Sequence, residues 1–157
     1  MTKMLIGIDD SLSAMQAVEY VARHFGNNKD IAVGLVHVLP NLPAIFWDEG
    51  HILSDAEKQD RKRVVDKWLV AQQAKMGPFL KKARDMLVAG GIPGSRVDSK
   101  FISDSTDAGQ SILEEARDNG YRAVVVGRSH HSPKHALGAT AGGIASHGTG
   151  VVVMIVE

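Results

Sequence analysis

Two stretches of the chain hold side chains whose types and spacing could do chemistry. The first is Gly7-Ile8-Asp9-Asp10-Ser11, where two carboxylates follow directly on the apolar run Met4–Ile8. If that run is a strand, Asp9 stands at its carboxyl end, beside the start of the next helix. There it can face a ligand crevice. Alternatively it belongs to the helix, with Asp10 or Ser11 as the cap and Asp9 favoured by the macrodipole. The second stretch runs from Gly127 to Gly138, G-R-S-H-H-S-P-K-H-A-L-G. From Ala123 to Val156 there is no Asp or Glu, whereas Arg128, Lys134 and four His lie inside. A helix opening at Gly138 would add its N-terminal N–H groups to those cations, which suits an anion such as phosphate. A solvated loop joining strand to helix is the alternative.

The elements that must position these groups can be read from periodicity. Met4–Ile8 is a short apolar strand. Leu12, Met15, Val18, Ala22 and Phe25 recur at helical spacing until Gly26-Asn27-Asn28 stops them. Ile31–Leu39 reads as a second buried strand, in which His37 is expected to be a hydrogen-bonded core residue. Residues 40–53 form a linker or lid punctuated by Pro40, Pro43 and Gly50. Ser54-x-x-Glu57 is a capping box that opens a long helix, with Val64, Val65, Trp68, Leu69 and Gln72 as its inner face. Trp68 then belongs to the core, and Phe46-Trp47 in the linker either packs on this helix, covers the crevice or meets a partner. Gly77-Pro78 should kink or restart the helix, which continues to Gly90-Gly91. Val97–Ile102 is a third strand, Asp107 caps a helix reaching Gly120, and Ala123–Val126 is a fourth strand. A short helix around Thr140–Ser146 and a strand at Val151–Val156 close the chain. Such alternation predicts a parallel, doubly wound sheet with helices on both faces, in one domain spanning residues 1–157. Ligands of such folds bind beyond the strands' carboxyl ends, where the winding reverses.

Composition narrows the function. Lys plus Arg and Asp plus Glu number 18 each among 157 residues, so the net charge is zero. That disfavours a nucleic-acid or anionic-membrane binder. The chain has no Cys, which removes disulfides, thiolate catalysis and Cys-ligated zinc. Neither Met4–Ile8 nor Val151–Val156 is long enough for a signal h-region or a membrane span, and a cytoplasmic location is expected. Gly-Lys-Ser/Thr, Gly-x-Ser-x-Gly and His-Glu-x-x-His are all missing from the sequence, so an enzyme is not expected beyond slow ATP hydrolysis. His131 and His135 stand four apart, but Pro133 between them argues against one helical face, and no metal site is expected.

In order and spacing the whole chain resembles the universal stress protein family. Met4–Ser11 is similar to that family's first strand and its Asp, and Val36-His37-Val38 to its second strand. Ser105-Thr106-Asp107-Ala108, with Ile112 and Ala116, resembles the loop and helix before its fourth strand. Val124–Arg128 is similar to the start of its glycine loop. Ala136-Leu137-Gly138, Ile144, His147 and Val151–Val156 resemble its closing helix and strand. The resemblance implies a Rossmann-like sheet of order 3-2-1-4-5. It also implies a stress-response role in which ATP or another adenine nucleotide occupies a regulatory switch. Its contacts would be Gly7, Ile8, Asp9 and Val38 at the strand ends. In the loop they would be Gly127, Arg128, His130, Gly138, Ala139 and Thr140.

The family's nucleotide-binding branch carries Gly-x-x-Gly, nine residues, then Gly and Ser or Thr. Gly127 and Gly138 match its first and third glycines. His130 stands where the second belongs, Ala139 replaces the hydroxyl residue, and the loop is two residues shorter. Ala cannot donate to phosphate. Thr140, Ser129 and Ser132 offer hydroxyls in another register, while Arg128, His130, His131, Lys134 and His135 offer cations. A dimeric scaffold that binds no nucleotide is the alternative, and an enzyme acting on a nucleotide a third. A Gly127→Val substitution is expected to abolish binding under the first reading and to change nothing under the second. In that strand order Val151–Val156 lies at an edge without Lys or Pro, which predicts pairing with a second copy; a further protein partner is expected but not identifiable.

Overall fold

Each apolar run becomes a strand, and each helical stripe packs onto the sheet those strands build. The computed structural model describes residues 1–46, 50, 52–128 and 137–157. The elements are β1 (Thr2–Gly7), α1 (Leu12–Phe25), β2 (Ile31–Val38), α2 (Asp55–Ala89), β3 (Val97–Ile102), α3 (Ala108–Asp118), β4 (Ala123–Gly127), α4 (Ala139–His147) and β5 (Val152–Val156). The strands form one parallel sheet in the order β3-β2-β1-β4-β5.

Strand alternation divides the core. Met4, Ile6 and Ile8 face α1 and α2, where they meet Met15, Val18, Val21, Leu80 and Leu87. Leu5 faces the other way, towards Ile112, Leu113, Ala116 and Ile144 of α3 and α4. Fully burying each large side chain contributes roughly 1.5–3 kcal/mol, so the two faces anchor the strand ends firmly. The helix starts follow the sequence. Ser11 caps α1 by accepting from the Ala14 N–H at 3.1 Å, and Asp107 caps α3 by accepting from the Gln110 N–H at 3.0 Å. Ser54 and Glu57 form the expected reciprocal box at the head of α2.

The long helix departs from expectation in three ways. Gly77-Pro78 does not restart it: α2 runs unbroken through 35 residues. Pro78 has no N–H for the Ala74 carbonyl, but Ala74 is exposed and water can satisfy that oxygen. Gly77 has no Cβ to crowd the proline ring, and Met76 and Leu80, buried on either side of Gly77-Pro78, seat this turn of the helix on the core. The buried face is also displaced. It consists of Met76, Leu80, Ala83 and Leu87, whereas Val64 is exposed and Val65, Trp68, Leu69 and Gln72 are only half-buried. A helix of this length spans about 52 Å, while eight residues of β2 cover about 27 Å, so its first half outruns the sheet. Trp68 therefore packs against Phe46 from the linker, ring centroids 6.3 Å apart, instead of entering the core. Arg61 donates to the Phe46 carbonyl beside it. Trp47 lies outside the described residues. Among the described residues no helix is long and apolar enough to cross a membrane.

Candidate functional site

Between β2 and β4 the chain winds in opposite directions from β1, and a cavity of about 150 Å³ lies at the carboxyl ends of these three strands. Its wall is mixed. Val36, His37 and Val38 come from β2, Ala108 and Ile112 from α3, and Gly7, Ile8 and Asp9 from the exit of β1. Ser11, Ala14, Val126, Gly127 and Thr140 complete it. Of the residues proposed from sequence, Gly7, Ile8, Asp9, Val38, Gly127 and Thr140 are brought together here.

Local bonding fixes the polar groups. Asp9 Oδ1 accepts from the Ser11 N–H at 2.8 Å and from the Ser11 hydroxyl. The two readings of the acidic pair thus meet in one turn: Ser11 is the helix cap, and Asp9, held by it, lines the cavity. Across the sheet, the Ile8 N–H donates to the Val36 carbonyl at 2.8 Å, and His37 Nδ1 lies 2.7 Å from the Ile8 carbonyl. His37 is hydrogen-bonded as expected but only half-buried, and it lies on the cavity wall. The strand-end rule already pointed there, because His37 is the penultimate residue of β2. Ser11, Ala14, Val36, Ala108, Ile112 and Val126 complete the lining without having been proposed as ligand contacts; their apolar or capping signals read as structure alone.

The loop side differs from the expected set. Arg128 does not line the cavity: its Nε pairs with Glu157 Oε1 at 3.3 Å, and its N–H donates to Val156. Gly138 spends its N–H on the Arg128 carbonyl at 3.0 Å and takes the N-cap place of α4, while Ala139 is exposed. On this side of the cavity the lining residue with a hydroxyl is Thr140, one residue later than the motif. His130, with His131, Lys134 and His135, lies outside the described residues. Among the described residues no three His, Asp or Glu side chains gather as a metal site.

Gly127 is required for a packing reason. A Cβ there would fall 2.3 Å from Ser13 Oγ and 2.5 and 2.6 Å from the Ser13 carbonyl carbon and oxygen. The backbone of α1 therefore seats directly on β4. A Gly127→Val substitution would displace that helix under any functional reading, so it cannot separate nucleotide binding from scaffolding.

The family model of the universal stress protein family matches residues 1–156, and the chain belongs to that family. No curated protein matches it at the sequence level. Among solved structures it resembles the universal stress protein UspA from Lactobacillus plantarum at 15% identity and a TM-score of 0.67, covering 99% of this chain and 97% of that one. It also resembles an Archaeoglobus fulgidus universal stress protein in complex with dAMP, at 14% identity, TM-score 0.63, and coverage of 100% and 98%. A family member from Arabidopsis thaliana with AMP bound matches at 16% identity, TM-score 0.64, and coverage of 99% and 91%. At these identities the likeness speaks for the Rossmann-like fold.

Proposed function

We propose that this chain is a regulatory, nucleotide-responsive stress protein whose cavity takes an adenine nucleotide. The observation that carries the reading is the convergence of Asp9, Gly127 and Thr140 on one cavity at the reversal of winding. Its polarity suits a nucleotide laid across the strand ends. Val36, Val38, Ala108 and Ile112 offer an apolar wall for a flat base. Asp9 can accept from ribose hydroxyls, and Thr140, in the first turn of α4, can donate to an anion. Family members of the same fold bear AMP and dAMP, which supports an adenine ligand.

Among the described residues the cavity wall carries one carboxylate, Asp9, and in this reading the ligand acts by occupancy: the bound state differs from the empty one, and a partner responds to that difference. The protein works in the cytoplasm as a dimer joined through β5, and ATP or ADP is the physiological occupant. Chromatography of the supernatant from heat-denatured protein tests this. Recovered adenine nucleotide supports the switch, and its complete absence from freshly purified protein counts against it. The second reading, a dimeric scaffold without nucleotide, draws on the Gly138 N–H being committed to Arg128 and on Ala139 at the motif's hydroxyl position.

A further inference from the structure

A second cavity, a groove of about 410 Å³ between α3 and α4, has the size of a small-ligand site and shares no residue with the cavity at the strand ends. We propose that it binds a short peptide of about three residues with both termini free, the carboxylate on Arg117 and the ammonium on Asp107. Arg117, in the last turn of α3, donates from Nη2 to the His147 carbonyl at 2.8 Å and to the Thr149 carbonyl at 3.2 Å. Its Nε donates to the same Thr149 oxygen at 3.3 Å. These bonds to backbone hold the guanidinium in place. Among the described residues Nη1 has no partner, and no carboxylate pairs with the group. Asp107 lines the groove at the start of α3, where Oδ1 accepts from the Gln110 N–H at 3.0 Å. Its other oxygen is open, and no cation pairs with it among the described residues. Gln110, whose amide nitrogen donates to Glu114 at 2.9 Å, keeps its oxygen, and Ser146 adds a hydroxyl. An acceptor and a hydroxyl complement the N–H and C=O groups of a peptide.

Gly143 supplies an independent observation. It stands inside α4, where glycine is a poorer helix former than alanine. Its φ is not in the left-handed region, and a Cβ there would meet nothing within 4 Å. Neither the backbone nor the packing asks for glycine. What the bare position keeps free is the groove, with buried Leu113 as an apolar floor. Asp107 and Arg117 stand ten residues apart, about 15 Å along the helix. Allowing about 3 Å for a hydrogen bond at each end, about three extended residues of about 3.5 Å each fill the remainder. A lone anion such as phosphate would meet Arg117 and leave Asp107 unmatched, whereas a free-ended peptide complements both.

Titration of the full chain with trialanine, followed in ¹H–¹⁵N spectra, tests the assignment. At the efficiency of ordinary small ligands the peptide should bind with a dissociation constant of about 0.3 mM and shift the amides of α3 and α4. Acetylating its amine, or amidating its carboxylate, should each weaken binding about tenfold. Gly143→Leu should keep the wild-type unfolding temperature, because nothing in the chain opposes the new side chain, and should abolish binding by filling the groove. If that variant fails to fold, the blocked peptides decide the matter on the unmodified protein. The proposal is overturned by the lack of a saturable shift up to about 10 mM trialanine. Equal affinity for the free and both blocked peptides has the same meaning, as does undiminished binding by folded Gly143→Leu. Binding kept by the acetylated peptide and lost by the amide would leave an anion site only, and would also end the peptide assignment. Because the two cavities share no residue, each of these results stands whether or not the strand-end cavity takes a nucleotide.

Discussion

Ser11 ties the cavity to the fold through one hydroxyl, which donates to Asp9 Oδ1 and accepts from the Ala14 N–H. Ser11→Ala should lose about 1 kcal/mol of stability in urea denaturation through the missing cap. It should also weaken AMP binding, because Asp9 keeps only the Ser11 backbone N–H of its two partners. Unchanged affinity would mean that the carboxylate needs no such support. At this scale the sequence was legible where a signal has one meaning. Asp9 at a strand end and a cap at Asp10 or Ser11 could be named from type and position, and the Ala14 N–H then selects Ser11. His37 and Gly127 admit more than one. A histidine in an apolar strand is usually a core residue, and only the register that sets Nδ1 against the Ile8 carbonyl places it on the cavity wall. A glycine after a strand reads as room for phosphate, whereas here it makes room for the backbone of α1.

At the scale of elements, the strand and helix boundaries agree with the periodicity to within a residue or two, because each buried face repeats faithfully. The linear pattern fails along α2. Val64, Val65, Trp68 and Leu69 repeat as a core face would, yet periodicity does not say how far the sheet extends beneath a helix. Helix continuity through Pro78 was equally hidden, since it depends on tertiary anchors on both sides. The head of α2 carries its own prediction. The Ser54 backbone N–H, and after it the Ser54 hydroxyl, hold the Glu57 carboxyl below its ordinary value of 4.5. A depressed folded value means that the box contributes its stabilisation above about pH 4.5 and loses it as pH falls through the lowered value. Glu57→Gln should therefore flatten this part of the stability-versus-pH curve below about pH 4.5, measured by denaturant midpoints. An identical slope in the variant would show that the carboxylate is not coupled to folding.

For the whole molecule, β5 is the exposed margin of the sheet. The Val152 N–H donates inward to Arg122, and the Val156 carbonyl accepts inward from Arg128. By alternation along the strand, Val153 and Ile155 turn their backbone groups to the open edge, free to pair with a second copy. The chain should scatter light at about twice 16.9 kDa, and Ile155→Pro, which removes an outward donor without touching the ladder to β4, should halve that mass. A wild-type monomer would remove β5 as the joint. What the sheet does above all is bring the ends of β1, β2 and β4 to one cavity, and its contents decide the account. Isothermal titration of the full chain with AMP should give saturable heat at one site per chain, weakened in Asp9→Asn. Absence of heat at high micromolar protein would contradict it.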